Sequence, residues 1–147
     1  MSGRFRSAVN GSATLLLDTG PWMALHCRND ACHAWSREQF SQVSGPLLTC
    51  ETVVAEACFL LARDGHDPAK ALALVARGVV RVAMSLGDEI GPVQALFEGY
   101  DNVPASLADA CLVRMSEVFD RSRVLTLDAN FHIYRRHGRK VIPVLSP

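Results

Sequence analysis

Apolar residues come along this chain as short runs alternating with helical stripes, and the alternation predicts its elements. Thr14–Leu17 reads as a buried strand that stops at Asp18. Pro21–Cys27 and Asp30–Gln42 read as helices, the second capped by Asn29 or Asp30. Pro46–Cys50 is a second short strand. Thr52 caps a helix to about Arg63, because Val53, Val54, Ala57, Leu60 and Leu61 form one stripe. Pro68 opens another helix to about Arg77, and the β-branched stretch Val79–Met84 is strand-like. Asp88–Glu98 is helical, with a weak point at Gly91-Pro92, and Asn102-Val103-Pro104 is a break. Ser106 caps a helix to about Phe119, with Leu107, Cys111, Met115 and Val118 on one stripe. Val124–Leu127 is a strand ending at Asp128, and Asn130–Tyr134 is a short helical turn. Val141–Leu145 is the last strand, and Pro143 marks it as an edge.

Strands that alternate with helices imply parallel crossovers and an α/β fold, a three-layer α/β/α sandwich. In such a sheet the site lies outside the carboxyl ends of the strands, where the strand order reverses. Two predicted strands end directly in an aspartate, Leu15-Leu16-Leu17-Asp18 and Leu125-Thr126-Leu127-Asp128. An Asp after one strand is ordinary turn chemistry; the same ending twice is more telling. Two helices add acids. Glu56 sits on the edge of its helix's apolar stripe, turned partly toward the protein body. Asp109 follows the Ser106 cap by three residues, which also suits a capping box, and Ala108 and Ala110 keep its surroundings small.

Composition narrows the class. A length of 147 residues suits one domain, with residues 1–12 as a flexible lead-in and 13–147 as the folded unit. Hydrophobic residues make up 49% and charged residues 20%, which excludes a solvated, disordered chain. No apolar run approaches the roughly 20 residues of a membrane span, and no apolar stretch follows Arg4 and Arg6 as in a secretory signal. A cytoplasmic protein without a membrane partner is the expectation. The net charge of zero conceals a bias: all of the 15 cations except Lys70 and Lys140 are Arg. Arg135, Arg136, Arg139 and Lys140 cluster beside His132 and His137, either as a solvated segment or as a phosphate-binding patch. Cys27, Cys32, Cys50, Cys58 and Cys111 form an odd set without a C-x-x-C pair. Zinc on Cys27, Cys32 and His26 or His33 would lack a second ligand pair of matching spacing.

If Asp18, Glu56, Asp109 and Asp128 converge, four carboxylates cannot all stay ionised unaided. Either protons are shared or a divalent cation sits among them, and oxygen-only ligands suit Mg²⁺ or Mn²⁺ over zinc. The reaction class this implies is metal-assisted phosphodiester hydrolysis.

The residues also resemble a known family. Leu15–Pro21 (LLLDTGP), Thr52–Leu61 (TVVAEACFLL), Val103–Val113 (VPASLADACLV) and Val124–Arg135 (VLTLDANFHIYR) resemble, in order and spacing, the PIN-domain proteins, specifically the VapC-type toxin ribonucleases. The resemblance implies a mostly parallel five-stranded sheet, a Mg²⁺- or Mn²⁺-dependent endoribonuclease, a homodimer and a neutralising antitoxin. It assigns the catalytic and metal-holding acids to Asp18, Glu56, Asp109 and Asp128. Many relatives carry a further acid where this chain has Asn130, which removes a charge from a second metal position. Thr19 and Thr126 are candidate supporting hydroxyls, and Arg135, Arg136 and Arg139 are candidate contacts to RNA phosphates. Trp22 and Trp35 fit the core or a dimer contact.

Asp18-Thr19-Gly20 is also the D-T-G of aspartic proteases, but those enzymes are all-β and this pattern is helical downstream. A D-x-D phosphatase nucleophile fails because position 20 is Gly. A PIN-like protein that binds RNA or a partner without cutting, or a PIN nuclease of RNA processing, is the remaining alternative.

Overall fold

The computed structural model describes residues 13–100 and 105–147. The expected lead-in and the break at Asn102-Val103-Pro104 lie outside the described residues. The strands β1 (Thr14–Leu17), β2 (Leu47–Cys50), β3 (Val80–Met84), β4 (Ser122–Leu125) and β7 (Val144–Leu145) form one sheet in the order β3-β2-β1-β4-β7. Every pairing in it is parallel. β1 is central and flanked on both sides, so its apolar residues run without polar alternation. Leu16, Leu17, Leu47, Leu48, Val124 and Leu125 are completely buried. Each such side chain contributes about 1.5–3 kcal/mol relative to leaving it exposed.

The helices are α1 (Thr19–His26), α2 (His33–Gln42), α3 (Glu51–Arg63), α4 (Ala69–Ala76), α5 (Ile90–Gly99) and α6 (Leu107–Val118). α1 packs on α2 and α3, α3 on α4, and α5 on α6. Right-handed crossovers assign α1–α4 to one face and α5–α6 to the other, because the chain runs outward from β1 to β3 and then returns across the sheet to β4. The three-layer α/β/α arrangement with a five-stranded parallel sheet follows.

Several boundaries differ from the sequence reading. α2 starts at His33, not Asp30, because the Asp30 carboxylate accepts the Cys32 N–H and closes a turn before the helix. α3 starts at Glu51, so Thr52 lies inside the first turn, where its hydroxyl meets the Cys50 thiol at 3.0 Å. α5 starts at Ile90, which places Pro92 in the first turn, where a missing N–H costs no helical bond. On α6 the buried set is broader than the predicted stripe. Ala108, Ala110, Leu112 and Val113 are buried with Cys111 and Met115, whereas Leu107 and Val118 are exposed. The expected last strand is two pieces. Lys140–Val141 (β6) pairs antiparallel with Arg135–Arg136 (β5), and only β7, beyond Pro143, joins the main sheet.

Candidate active site

β1 and β4 are neighbours whose chains depart to opposite sides of the sheet, so a crevice opens at their carboxyl ends. Asp18 leaves β1 in extended conformation (φ −85°, ψ 166°) and caps α1. Its own N–H still donates to Leu125 O at 3.1 Å, which continues the ladder one step past the strand. Its Oδ1 accepts the Thr19 N–H at 2.7 Å, and its Oδ2 accepts the Thr126 hydroxyl at 2.6 Å. Thr126, fully buried at the end of β4, in turn accepts the Asp128 N–H at 2.9 Å. One hydroxyl therefore ties two acids that stand far apart in sequence. Asp128 follows β4 by three residues rather than directly, and its Oδ1 accepts the Asn130 N–H at the start of a 3₁₀ turn, Ala129–His132.

Asp109 is the third residue of α6 and forms a reciprocal capping box. Its N–H donates to the Ser106 hydroxyl at 3.1 Å, and its Oδ2 accepts the Ser106 N–H at 3.0 Å. Glu56 projects from α3 one position before buried Ala57, on the same side as Leu60. Asp18, Glu56, Asp109 and Asp128 all line one open cavity of about 420 Å³. Thr19, Gly20 and Ser106 complete its polar lining, and Met23, Leu60 and Leu127 supply apolar walls. A Cβ on Gly20 would stand 3.2 Å from Leu127 Cβ, so glycine lets that wall close against α1. A larger cavity of about 510 Å³, beside α2 and the β7 edge, holds Arg123 and no carboxylate, so it offers a cation nothing.

The carboxylates feel one another. Burial pushes the Asp18 carboxyl up to about 7. The Thr126 and Thr19 hydrogen bonds oppose the rise, and the charges of Asp109 and Glu56 add to it. Burial also raises Asp109, reinforced by Asp128 and resisted by Ser106 and by the Tyr134 hydroxyl. A cluster that crowds anions into a half-dry crevice favours a proton or a hard cation. Among the described residues, no three His, Cys, Asp or Glu are gathered tightly enough to form a ready metal centre. Cys27, Cys32 and His33 form no such group among the described residues, and the His33 ring is bonded to Ala24 O at 2.8 Å. The acid cavity still fits Mg²⁺ or Mn²⁺, because Mg²⁺ keeps several waters and takes one or two carboxylates directly. Thr19, 4% exposed and lining this cavity, carries a hydroxyl with no hydrogen-bond partner among the described residues.

Other candidates fall outside the cavity. Asn130 does not line the cavity and meets the site through the N–H it gives to Asp128. Arg135 and Arg136 each bind backbone carbonyls through one guanidinium nitrogen, Nη1. Arg135 donates to the carbonyls of His132, Ile133 and Tyr134 at 2.8–3.0 Å and closes the 3₁₀ turn. Arg136 donates to Ser116 O and Asp120 O at 2.9 and 3.0 Å, at the carboxyl end of α6. Arg139 is exposed and does not line the cavity. Trp22 is fully buried, and Trp35 packs against the core from its surface. The sequence reading missed Tyr134, whose hydroxyl donates to Asp109 Oδ2 at 3.2 Å; a lone Tyr in a turn gives no local signal of such a partner.

Compared with solved structures, the chain is similar to the crystal structure of Mycobacterium tuberculosis VapC20, described as a sarcin–ricin loop cleaving toxin. The TM-score is 0.73 at 22% identity, covering 80% of this chain and 92% of that one. The fold is PIN-like. No family model and no curated protein matches the sequence. The PIN-like fold accounts for the placement of the acids: β1 leads into a capped helix, α3 and α6 both reach the crevice, and the end of β4 closes it. No helix among the described residues is long and apolar enough to cross a membrane.

Proposed function

We propose that this chain is a Mg²⁺- or Mn²⁺-dependent endoribonuclease that hydrolyses RNA phosphodiester bonds, acting as the toxin of a type II toxin–antitoxin pair. The observation that carries this reading is the convergence of Asp18, Glu56, Asp109 and Asp128 on one cavity. The likeness in fold to a toxin that cleaves RNA supports it. These four acids hold the cation, which when bound supplies a nucleophilic water at neutral pH and offsets charge on the phosphate. Thr126 keeps Asp18 and Asp128 in fixed relation, and the Ser106 box fixes Asp109. The Thr19 hydroxyl stands ready to donate to a phosphate oxygen. The apolar side chains of Met23, Leu60 and Leu127 flank the acids in the cavity. With Arg135 and Arg136 engaged internally, Arg139 remains as the phosphate contact of that segment. A homodimer in the cytoplasm, neutralised by a cognate antitoxin protein, completes the proposal.

The test is cleavage of a labelled RNA by the purified chain with Mg²⁺, with Mn²⁺ and with EDTA. Wild type is expected to cut only with metal, and Asp18→Asn and Asp109→Asn to lose cutting while remaining folded. Equal cleavage by wild type and Asp18→Asn overturns the assignment. RNA retention without cleavage in either metal would favour the non-cutting PIN-like alternative. Harmless overexpression of an active wild type would remove the toxin role alone.

A further inference from the structure

Tyr134 is a fully buried phenol. Its ring is held edge-on by Phe131 (centroids 5.1 Å apart, planes at 86°) and tilted against Tyr100 (4.8 Å, 43°). A hydroxyl carried on so fixed a ring has little freedom to choose its partner, and burial requires it to have one. It donates to Asp109 Oδ2 at 3.2 Å, the same oxygen that accepts the Ser106 N–H at 3.0 Å. The two donors come from separate segments, the α6 cap and the turn after β4. The Ser106 bond alone leaves the carboxylate free to swing about its own side-chain torsions; a second donor on the same oxygen sets its plane. Asp109 Oδ1 accepts no hydrogen bond among the described residues, while Asp109 lines the acid cavity.

We propose that Tyr134 is a positioning residue: by holding Asp109 Oδ2 beside the Ser106 N–H, it presents Oδ1 to the cavity as a single-oxygen ligand for a divalent cation. This rests on the metal-dependent reading above. Residues that orient a ligand in this way set metal affinity, and losing one costs about 10–100-fold.

Mn²⁺ binding to the full chain is read from the electron paramagnetic resonance signal of the free ion. Tyr134→Phe keeps the ring and removes the hydroxyl. It is expected to bind Mn²⁺ about 10-fold more weakly than wild type. The Mn²⁺ concentration for half-maximal RNA cleavage should rise by the same factor, with the rate at saturating metal little changed. Tyr100→Phe removes the hydroxyl of the neighbouring ring while keeping the packing on Tyr134, and is expected to keep wild-type Mn²⁺ affinity. Equal affinity in Tyr134→Phe and wild type overturns the proposal, and so does an equal loss in Tyr100→Phe. If wild type itself binds no Mn²⁺, the metal reading falls. Crystal structures of wild type and Tyr134→Phe then decide the role of Tyr134: an unmoved Asp109 carboxylate overturns it, and a rotated one sustains the positioning.

Discussion

Asp18→Asn is expected to stabilise the metal-free protein at alkaline pH while abolishing catalysis. The Asp18 carboxyl rises from 3.8 to about 7 on folding, chiefly through burial. Between those values the folded chain holds a proton that the unfolded chain has released. This group's contribution to stability is therefore complete below about pH 4 and is lost as pH rises through about 7. At about 1.4 kcal/mol per pH unit, the loss reaches about 4 kcal/mol, an upper figure because relaxation and water entry ease a buried charge. Asn keeps the shape: its carbonyl accepts the Thr19 N–H, and its amide faces Thr126 Oγ, which has a lone pair to spare beyond the Asp128 N–H. The substitution removes the titration without opening a hole. Urea melts in EDTA at pH 4.5, 6 and 8 measure the difference between the two proteins. At pH 4.5 the two should nearly coincide, and at pH 8 the variant should lead by several kcal/mol, or about 10 °C in Tm. A difference that stays constant from pH 4.5 to 8 would refute the reasoning, because it would mean that Asp18 titrates alike in both states. Saturating Mg²⁺ should stabilise the wild type and leave the variant nearly unmoved.

Thr126→Val keeps the volume but leaves Asp18 Oδ2 and the Asp128 N–H without their shared partner. It is expected to cost about 1.5–3 kcal/mol in a urea melt and most of the cleavage activity; a variant as active and stable as wild type would show that the link is idle. Arg136→Ala strips the carboxyl end of α6 of its donors to Ser116 and Asp120. Stability should fall by about 1–3 kcal/mol with no change in RNA affinity, and a selective loss of RNA binding in a filter assay would restore Arg136 to the substrate surface.

The parts of this site legible in the sequence are those governed by short range. Asp18 caps α1 through the next residue's N–H, and Asp109 closes a box with Ser106 three residues away, so spacing alone exposes both. Glu56 betrays itself by interrupting the edge of an apolar stripe on α3. The order of strands and helices follows the alternation of short continuous apolar runs with stripes of period 3.6. The misreadings arose where a distant partner decides. Thr126 offered two equal readings until Asp18 was placed against it, 108 positions away in the chain. Arg135 and Arg136 form a basic cluster in sequence, and the structure adds that each ties one guanidinium nitrogen to backbone carbonyls, of the 3₁₀ turn and of α6. Val141–Leu145 reads as one strand, but Lys140–Val141 found a nearer partner in Arg135–Arg136.

The amino-acid sequence by itself determined the α/β alternation, the capped helices and the identity of four acids, because caps and periodicities are settled within a few residues. Only the tertiary structure decided that those acids share one cavity, that Thr126 and Tyr134 hold two of them, and that two arginines each tie a guanidinium nitrogen to the backbone. Each of those contacts depends on the parallel sheet first bringing the end of β1 beside the end of β4, and no local pattern records a pairing between segments a hundred residues apart.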